Sequence, residues 1–317
     1  DGTGSPAIYS TADITVNDAG LTSTASQGVV VEGQNSVTLN NVDLTADNNT
    51  KNSDKSDNYQ AVMIYQSMSG DADEGTASFT MRDGSITNKN GDIFFVNNTV
   101  TDIHLSNVQI INRDENGVFL RAEAAGWGLS GTNGGNVNLT ITNQVLEGDM
   151  VIDEISGLNF TLKGNSSYFG AINGENEGNV YVEIEDGSTW DLTGDSYISS
   201  LTCGENAIRL NGYKLYINGV EYKEGSASSG NEVDFIVSTS GHGGFGDMGK
   251  PENGGAPDGN GGAPDGNGGA PDGNGAAPPE RSDGDGGPMA GGNTPPDKPD
   301  GNGGPMAGGN TPPEKPE

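Results

Sequence analysis

"NSVTLNNVDLT", residues 35–45, alternates apolar and polar residues on both sides of Asn40-Asn41. Taken alone it reads as a hairpin, two short strands about a polar pair. The same pattern returns as "ADITVNDAGLT" (12–22), "ASFTMRDGSIT" (77–87) and "TDIHLSNVQII" (101–111). In register, Ile14, Val16 and Leu21 fall on Val37, Leu39 and Leu44, a shift of 23; Phe79, Met81 and Ile86 fall on Ile103, Leu105 and Ile110, a shift of 24. The shift of 42 between the second and third copies marks one inserted loop. An array of hairpins needs no fixed interval, whereas a solenoid does, because each coil lays its strands on the coil below. The pairs Asp18-Ala19, Asn40-Asn41, Asp83-Gly84 and Asn107-Val108 then become corners, where Asn, Asp and Gly tolerate unusual backbone.

A second apolar run precedes each copy: "PAIYS", "VVVEG", "AVMIYQ", "DIFFVN" and later "GVFLRA". Looser coils continue through 136–152, 157–172 and 179–198, and the body closes on "NGYKLYINGVEY" (211–222). The Asn218-Gly219 pair in that last stretch is a strong hairpin signal, and a hairpin suits the open end of a solenoid. The expectation is an all-β, right-handed parallel β-helix of about eight coils, each about 4.8 Å deep. It spans residues 1–225, with a connector at 226–246 and a tail at 247–317.

Composition separates body from tail. Fourteen of the 15 prolines and 21 of the 53 glycines lie in 247–317, where no aromatic residue occurs. So little apolar surface cannot offset the entropy of ordering, and a disordered, hydrated tail is expected. Its "GGAPDGN" heptads lack the large apolar residue that calcium-binding β-roll repeats require, so they read as spacer. The formal charge of −31, of which −23 lies in residues 1–246, argues against nucleic acid and anionic lipid as partners. It favours cations, neutral ligands, or anionic ligands bridged by a metal. Cys203 is the single cysteine, so no internal disulfide forms, and no run of 18 apolar residues exists to span a membrane. Asp1 enters almost directly into a repeat, as a mature or truncated product would.

With the coils placed, "GSPAIYSTADITV", "NYQAVMIYQSMSGDADEGTASFTM", "GWGLSGTNGGNVNLTITNQVLEGDMVID" and "GSTWDLTGDSYISSL" resemble extracellular clostridial proteins that bind calcium and carbohydrate, relatives in fold of the pectate lyases. The resemblance covers most of 1–222. It implies a secreted or cell-surface protein that binds plant cell-wall polysaccharide, cellulose or an acidic pectin-like glycan, with calcium held in the fold. It carries over no catalytic residue. A monomer is expected.

Stacking the second runs gives two outward rows: Ala7, Val30, Met63, Phe94 and Phe119, then Tyr9, Glu32, Tyr65, Val96 and Arg121. Rings on a flat sheet can stack on sugar faces, which makes Tyr65, Phe94, Phe119, Arg121 and Trp127 the candidate carbohydrate contacts. Alternatively the loops 48–58, 66–76 and 122–135 fold over the row and bury it as a satellite core. "NRDENGVFLRAE" (112–123) follows the calcium-loop pattern except that Asn112 replaces the first Asp. Asp114 and Asn116, with Asp71, Asp73 and Asp92 nearby in other loops, are the candidate calcium ligands, or else members of solvated acidic turns. Two other functions stay open. A polysaccharide lyase needs a basic residue at the sugar, and of four Arg and six Lys in the body only Arg121 falls on the candidate face. A structural adhesin would bind protein instead.

Overall fold

The computed structural model describes residues 3–51, 55–70 and 72–236. The tail and Asp71 therefore lie outside the described residues, and the chain divides into two units at Met248/Gly249. Among the described residues all regular structure is β, and the three larger sheets are parallel.

Asn40-Asn41 is not a hairpin turn. Ser36–Ala46 is one bent strand, and its halves pair with other copies instead of with each other. Val37 lies beside Ile14 on one side and Phe79 on the other; Leu44 lies between Leu21 and Ile86. The inward column continues through Ile103, Leu139, Phe160, Val182 and Leu201, always in parallel register. The corner residues Asp18, Asn41, Asp83 and Asn107 have φ of 52°, 52°, 60° and 55°, the left-handed region that Asn and Asp enter most readily among side-chain-bearing residues. They also bond to one another along the stack. Asn41 Nδ2 donates to Asp18 Oδ1 at 2.8 Å, and Asn107 Nδ2 donates to Asp83 Oδ1 at 2.7 Å.

Four sheets result, the last of them a small 3-stranded one. The first is 6-stranded: Ile8–Ser10, Val29–Glu32, Gln60–Tyr65, Asp92–Asn97, Leu120–Ala122 and Met150–Ile152. The second is 9-stranded. It runs Ile14–Ser23, Ser36–Ala46, Thr76–Asn88, Thr99–Ser106, Gly135–Thr142, Gly157–Lys163, Asn179–Ile184, Ser200–Cys203, with Gln109–Asn112 beside the far half of Thr76–Asn88. The third is 4-stranded: Val145–Glu147, Ser167–Phe169, Thr189–Asp191 and Ile208–Arg209. Leu215–Ile217 and Val220–Glu221 pair antiparallel about Asn218-Gly219, both at positive φ, and the former strand also pairs with Ser196–Ile198. The topology is consistent with a β-helix-like solenoid.

Inward side chains of the three larger sheets share one core. Its aromatic residues meet edge to face across successive layers: Phe79–Phe94 at 5.4 Å, Phe94–Phe119 at 5.5 Å and Phe160–Tyr168 at 5.2 Å. Trp190 is fully enclosed, and its indole N–H donates to Gly170 O at 2.9 Å, so even the polar atom is satisfied.

Candidate functional site

The outward row of the first sheet runs Tyr9, Val30, Met63, Phe95, Arg121, Val151. It corrects the alignment made from sequence at three rungs. Phe94 and Phe119 are core residues, 0% and 2% exposed, and the position given to Phe94 belongs to Phe95. The runs "IFFV" (93–96) and "VFL" (118–120) are too uniformly apolar to show which residues face inward.

The row is roofed. Val30, Met63, Tyr65, Phe95 and Trp127 form a separate buried cluster, with Ala125 packed against it. Trp127 meets Tyr65 edge-on at 5.1 Å, and Lys55 Nζ sits over the indole, 5.4 Å from its centroid. The loops that make the roof are tied together. Gly126 N donates to Lys55 O at 2.8 Å, and Asn133 Nδ2 donates to Ala125 O and Trp127 O at 2.7 and 2.8 Å. With Tyr65 and Trp127 at 8% and 7% exposure, neither ring offers a flat face to a sugar. Of the loops considered, 122–135 covers the row, with Lys55 of 48–58 packed against it. Beside them an open depression of about 530 Å³ is lined by Gly126, Gly128, Asn133, Asp153 and Glu154 among others. Asp153 uses its carboxylate to accept from the amides of Ala124 (2.7 Å) and Ile155 (3.3 Å).

Arg121 lies at the edge of this roof between two acids. Its Nε is 2.6 Å from Asp92 Oδ2 and its Nη1 is 3.5 Å from Glu123 Oε2. Burial works against the guanidinium charge, but the hydrogen bond and charge of Asp92, followed by Glu123, outweigh it and raise its pKa. A guanidinium held this way is a poor proton acceptor, which weighs against the base a lyase would need. Glu123, which also accepts from Asn58 Nδ2, has its pKa raised chiefly by burial.

The candidate calcium ligands are placed apart or are already engaged. Asp92 Oδ1 accepts from Val118 N at 2.9 Å while Oδ2 holds Arg121. Asp114 accepts from Gly91 N at 2.7 Å and Asn116 N at 3.0 Å. Asp73 is exposed and accepts from Gln34 Nε2 at 3.5 Å, and the Asn116 side chain points to solvent. Among the described residues no three His, Cys, Asp or Glu side chains gather as an ion cradle. As arranged, Asp92 and Asp114 fit a loop-shaping role, and no chemistry is routed through an ion. Asp114 makes a prediction of its own. The backbone amides of Gly91 and then Asn116 hold its pKa below the usual 3.8. A carboxylate with a lowered folded pKa stabilises above 3.8, and that contribution is lost as pH falls through the folded value. Asp114→Ala should therefore lower the urea midpoint at pH 7, with the difference shrinking toward pH 3 in parallel titrations.

What stands open is the outer side of the second sheet, except where Asn159 and Tyr181 are covered. Three columns run along it at one strand per step. Ser36, Ser78, Asp102, Asn138, Asn159, Tyr181 and Ser200 form the first. Thr15, Thr38, Thr80, His104, Thr140, Thr161, Glu183 and Thr202 form the second; Asn17, Asn40, Arg82, Ser106, Thr142 and Lys163 form the third. Neighbours bond along the columns: Asn40 Nδ2 to Asn17 Oδ1 at 2.8 Å, Asn138 Nδ2 to Asp102 Oδ1 at 2.9 Å, Asn159 Nδ2 to Asn138 Oδ1 at 3.0 Å. Sequence reasoning passed over this face because Thr, Ser and Asn outward of a strand are ordinary singly and become a surface only in register. Comparison with protein-family models, curated proteins and solved structures finds no match.

Proposed function

We propose that the chain is a non-catalytic polysaccharide-binding module, wound as a right-handed parallel β-helix of about eight coils, that holds a glycan along the open face of the second sheet. The reading rests on one observation: hydroxyl, carboxamide and charged groups repeat in the same three columns on successive strands. Strands about 4.8 Å apart present such groups at a spacing comparable to a sugar residue in an extended chain. Each net hydrogen bond contributes only about 0.5–1.5 kcal/mol, so a long, repetitive ligand is needed to gather useful affinity. Half-exposed donors and acceptors such as Thr38, Thr80, Asn138 and Thr140 suit neutral or acidic glycans, with Arg82 exposed beside them. An extracellular setting belongs to the same proposal.

The test is retention on cellulose and on polygalacturonate, with and without a chelator. Thr38→Val, Thr80→Val and Thr140→Val together should weaken retention about tenfold or more, three net hydrogen bonds being lost. Trp127→Ala should leave the affinity of the folded fraction unchanged. Equal retention by the triple variant would remove the open face from consideration, and unsaturated uronate released from polygalacturonate would turn the reading to a lyase.

A further inference from the structure

The segment 226–236, expected to be a connector, lies against the second sheet instead. Ser228 and Cys203 exchange backbone bonds of 3.0 Å each, closing an antiparallel bridge. From there the chain turns back along the first outward column, toward earlier strands. Gly230 N donates to Thr202 Oγ1 at 3.0 Å and Asn231 N donates to Ser200 Oγ at 2.9 Å. Two strands further on, the Asn159 side chain takes both polar groups of Val233: its Oδ1 accepts from Val233 N at 2.8 Å, and its Nδ2 donates to Val233 O at 3.0 Å. The Phe235 ring edge fills the space over Gly157, 2.6 Å from where a Cβ would stand.

Beneath this strap Tyr181 and Asn159 fall to 4% and 7% exposure, while Asn138 and Asp102, next along the same column, stay half-exposed. The groups that hold the strap are hydroxyls and a carboxamide, the same kinds that the open part of the column presents. Its residues Ser229, Asn231, Glu232, Asp234 and Ile236 are exposed, and Ser228, Gly230, Val233 and Phe235 are half-buried; no residue of the strap is fully enclosed, which places it at the easily opened end of the structure.

We infer that residues 228–236 are a tethered occupant of the far end of the glycan lane, which sets how many strands a ligand can reach. The inference rests on the proposed function. The strap occupies the hydrogen-bonding groups of Ser200, Thr202 and Asn159 that would otherwise be open to sugar hydroxyls. The carboxylates of Glu232 and Asp234 also repel an acidic polymer at that end. Displacing the strap opens three further strands, about 14 Å of lane at the usual strand spacing.

Gly230 offers a way to displace it without altering the lane. A Cβ there would collide with Ser200 Oγ and lie 2.9 Å from the backbone oxygen of Leu201, which cannot give way. The experiment compares full-length wild type with Gly230→Val/Phe235→Ala, using hydrogen exchange at residues 230–233 and affinity for graded oligosaccharides of cellulose and polygalacturonate. The expected result is faster exchange in the variant, together with affinity that keeps rising beyond the length at which wild type levels off. The gain at the longest lengths should be about tenfold, the worth of one or two net hydrogen bonds. Faster exchange with an unchanged length limit would overturn the inference and leave the proposed function standing. Exchange as slow as in wild type would also overturn it, because the strap would then be held by something other than these contacts. Oligosaccharides bound by neither protein would bring down the proposed function and the inference with it.

Discussion

Phe94→Ala is expected to destabilise the fold by about 3–5 kcal/mol, the usual cost of emptying an enclosed aromatic site. The ring is fully enclosed and meets Phe79 on one side and Phe119 on the other, at 5.4 and 5.5 Å. Each such edge-to-face pair adds about 0.5–1.5 kcal/mol beyond the burial of its area. The cavity would lie between coils whose strands are fixed by hydrogen bonds on both sides, so it has little room to collapse. Urea unfolding measures the loss, and glycan retention per folded molecule should not change. The opposite pair of results, a stable protein with weakened retention, would place Phe94 on an outer surface and contradict the register described above.

Arg121→Ala should cost about 3 kcal/mol, the low end of the range for breaking a buried ion pair from one side. The effect lies mainly with the partner left behind. Asp92 is 3% exposed, and without the guanidinium its charge would keep only the amide of Val118. Asp92→Asn in the same background should recover much of the loss, since a neutral amide can stay buried at lower cost. Arg121→Lys should recover less, because a single ammonium does not reproduce the fork that reaches Asp92 and Glu123 together. A double-mutant cycle in urea reads the coupling directly. A cycle that closes near zero would mean that Arg121 serves only as packing.

The parts of this fold that were legible in the sequence are those where polarity alternates. Ile14/Val37/Phe79/Ile103 could be aligned because polar neighbours mark which residues face water, and the Asn and Asp corners could be located because few other residues accept their backbone. The first sheet was harder. "AVMIY" and "DIFFVN" are apolar on both sides, since one side meets the core and the other meets the roof, and inward and outward positions cannot then be told apart. Phe94 was for that reason assigned where Phe95 stands. Trp127 is a similar case: nothing local distinguishes a ring offered to a ligand from one closing over Met63 and Phe95. The strap carried only a faint signal, the alternation of Val233 and Phe235 among polar residues, and its partner Asn159 lies 74 residues earlier. The calcium-like loop at 112–123 had oxygens in suitable order, but pattern alone does not reveal that Gly91, Asn116 and Val118 amides already engage Asp114 and Asp92.

The pairing of every inner strand with just its two nearest copies, as with Val37 between Ile14 and Phe79, makes cooperativity one-dimensional. Such a protein behaves like a zipper: local damage loosens its immediate neighbours, and distant segments keep their own stability. Heating should accordingly fray the molecule from whichever end is weaker, spreading the transition over a range of temperatures. A single melting temperature would describe an average over segments and not an all-or-none event.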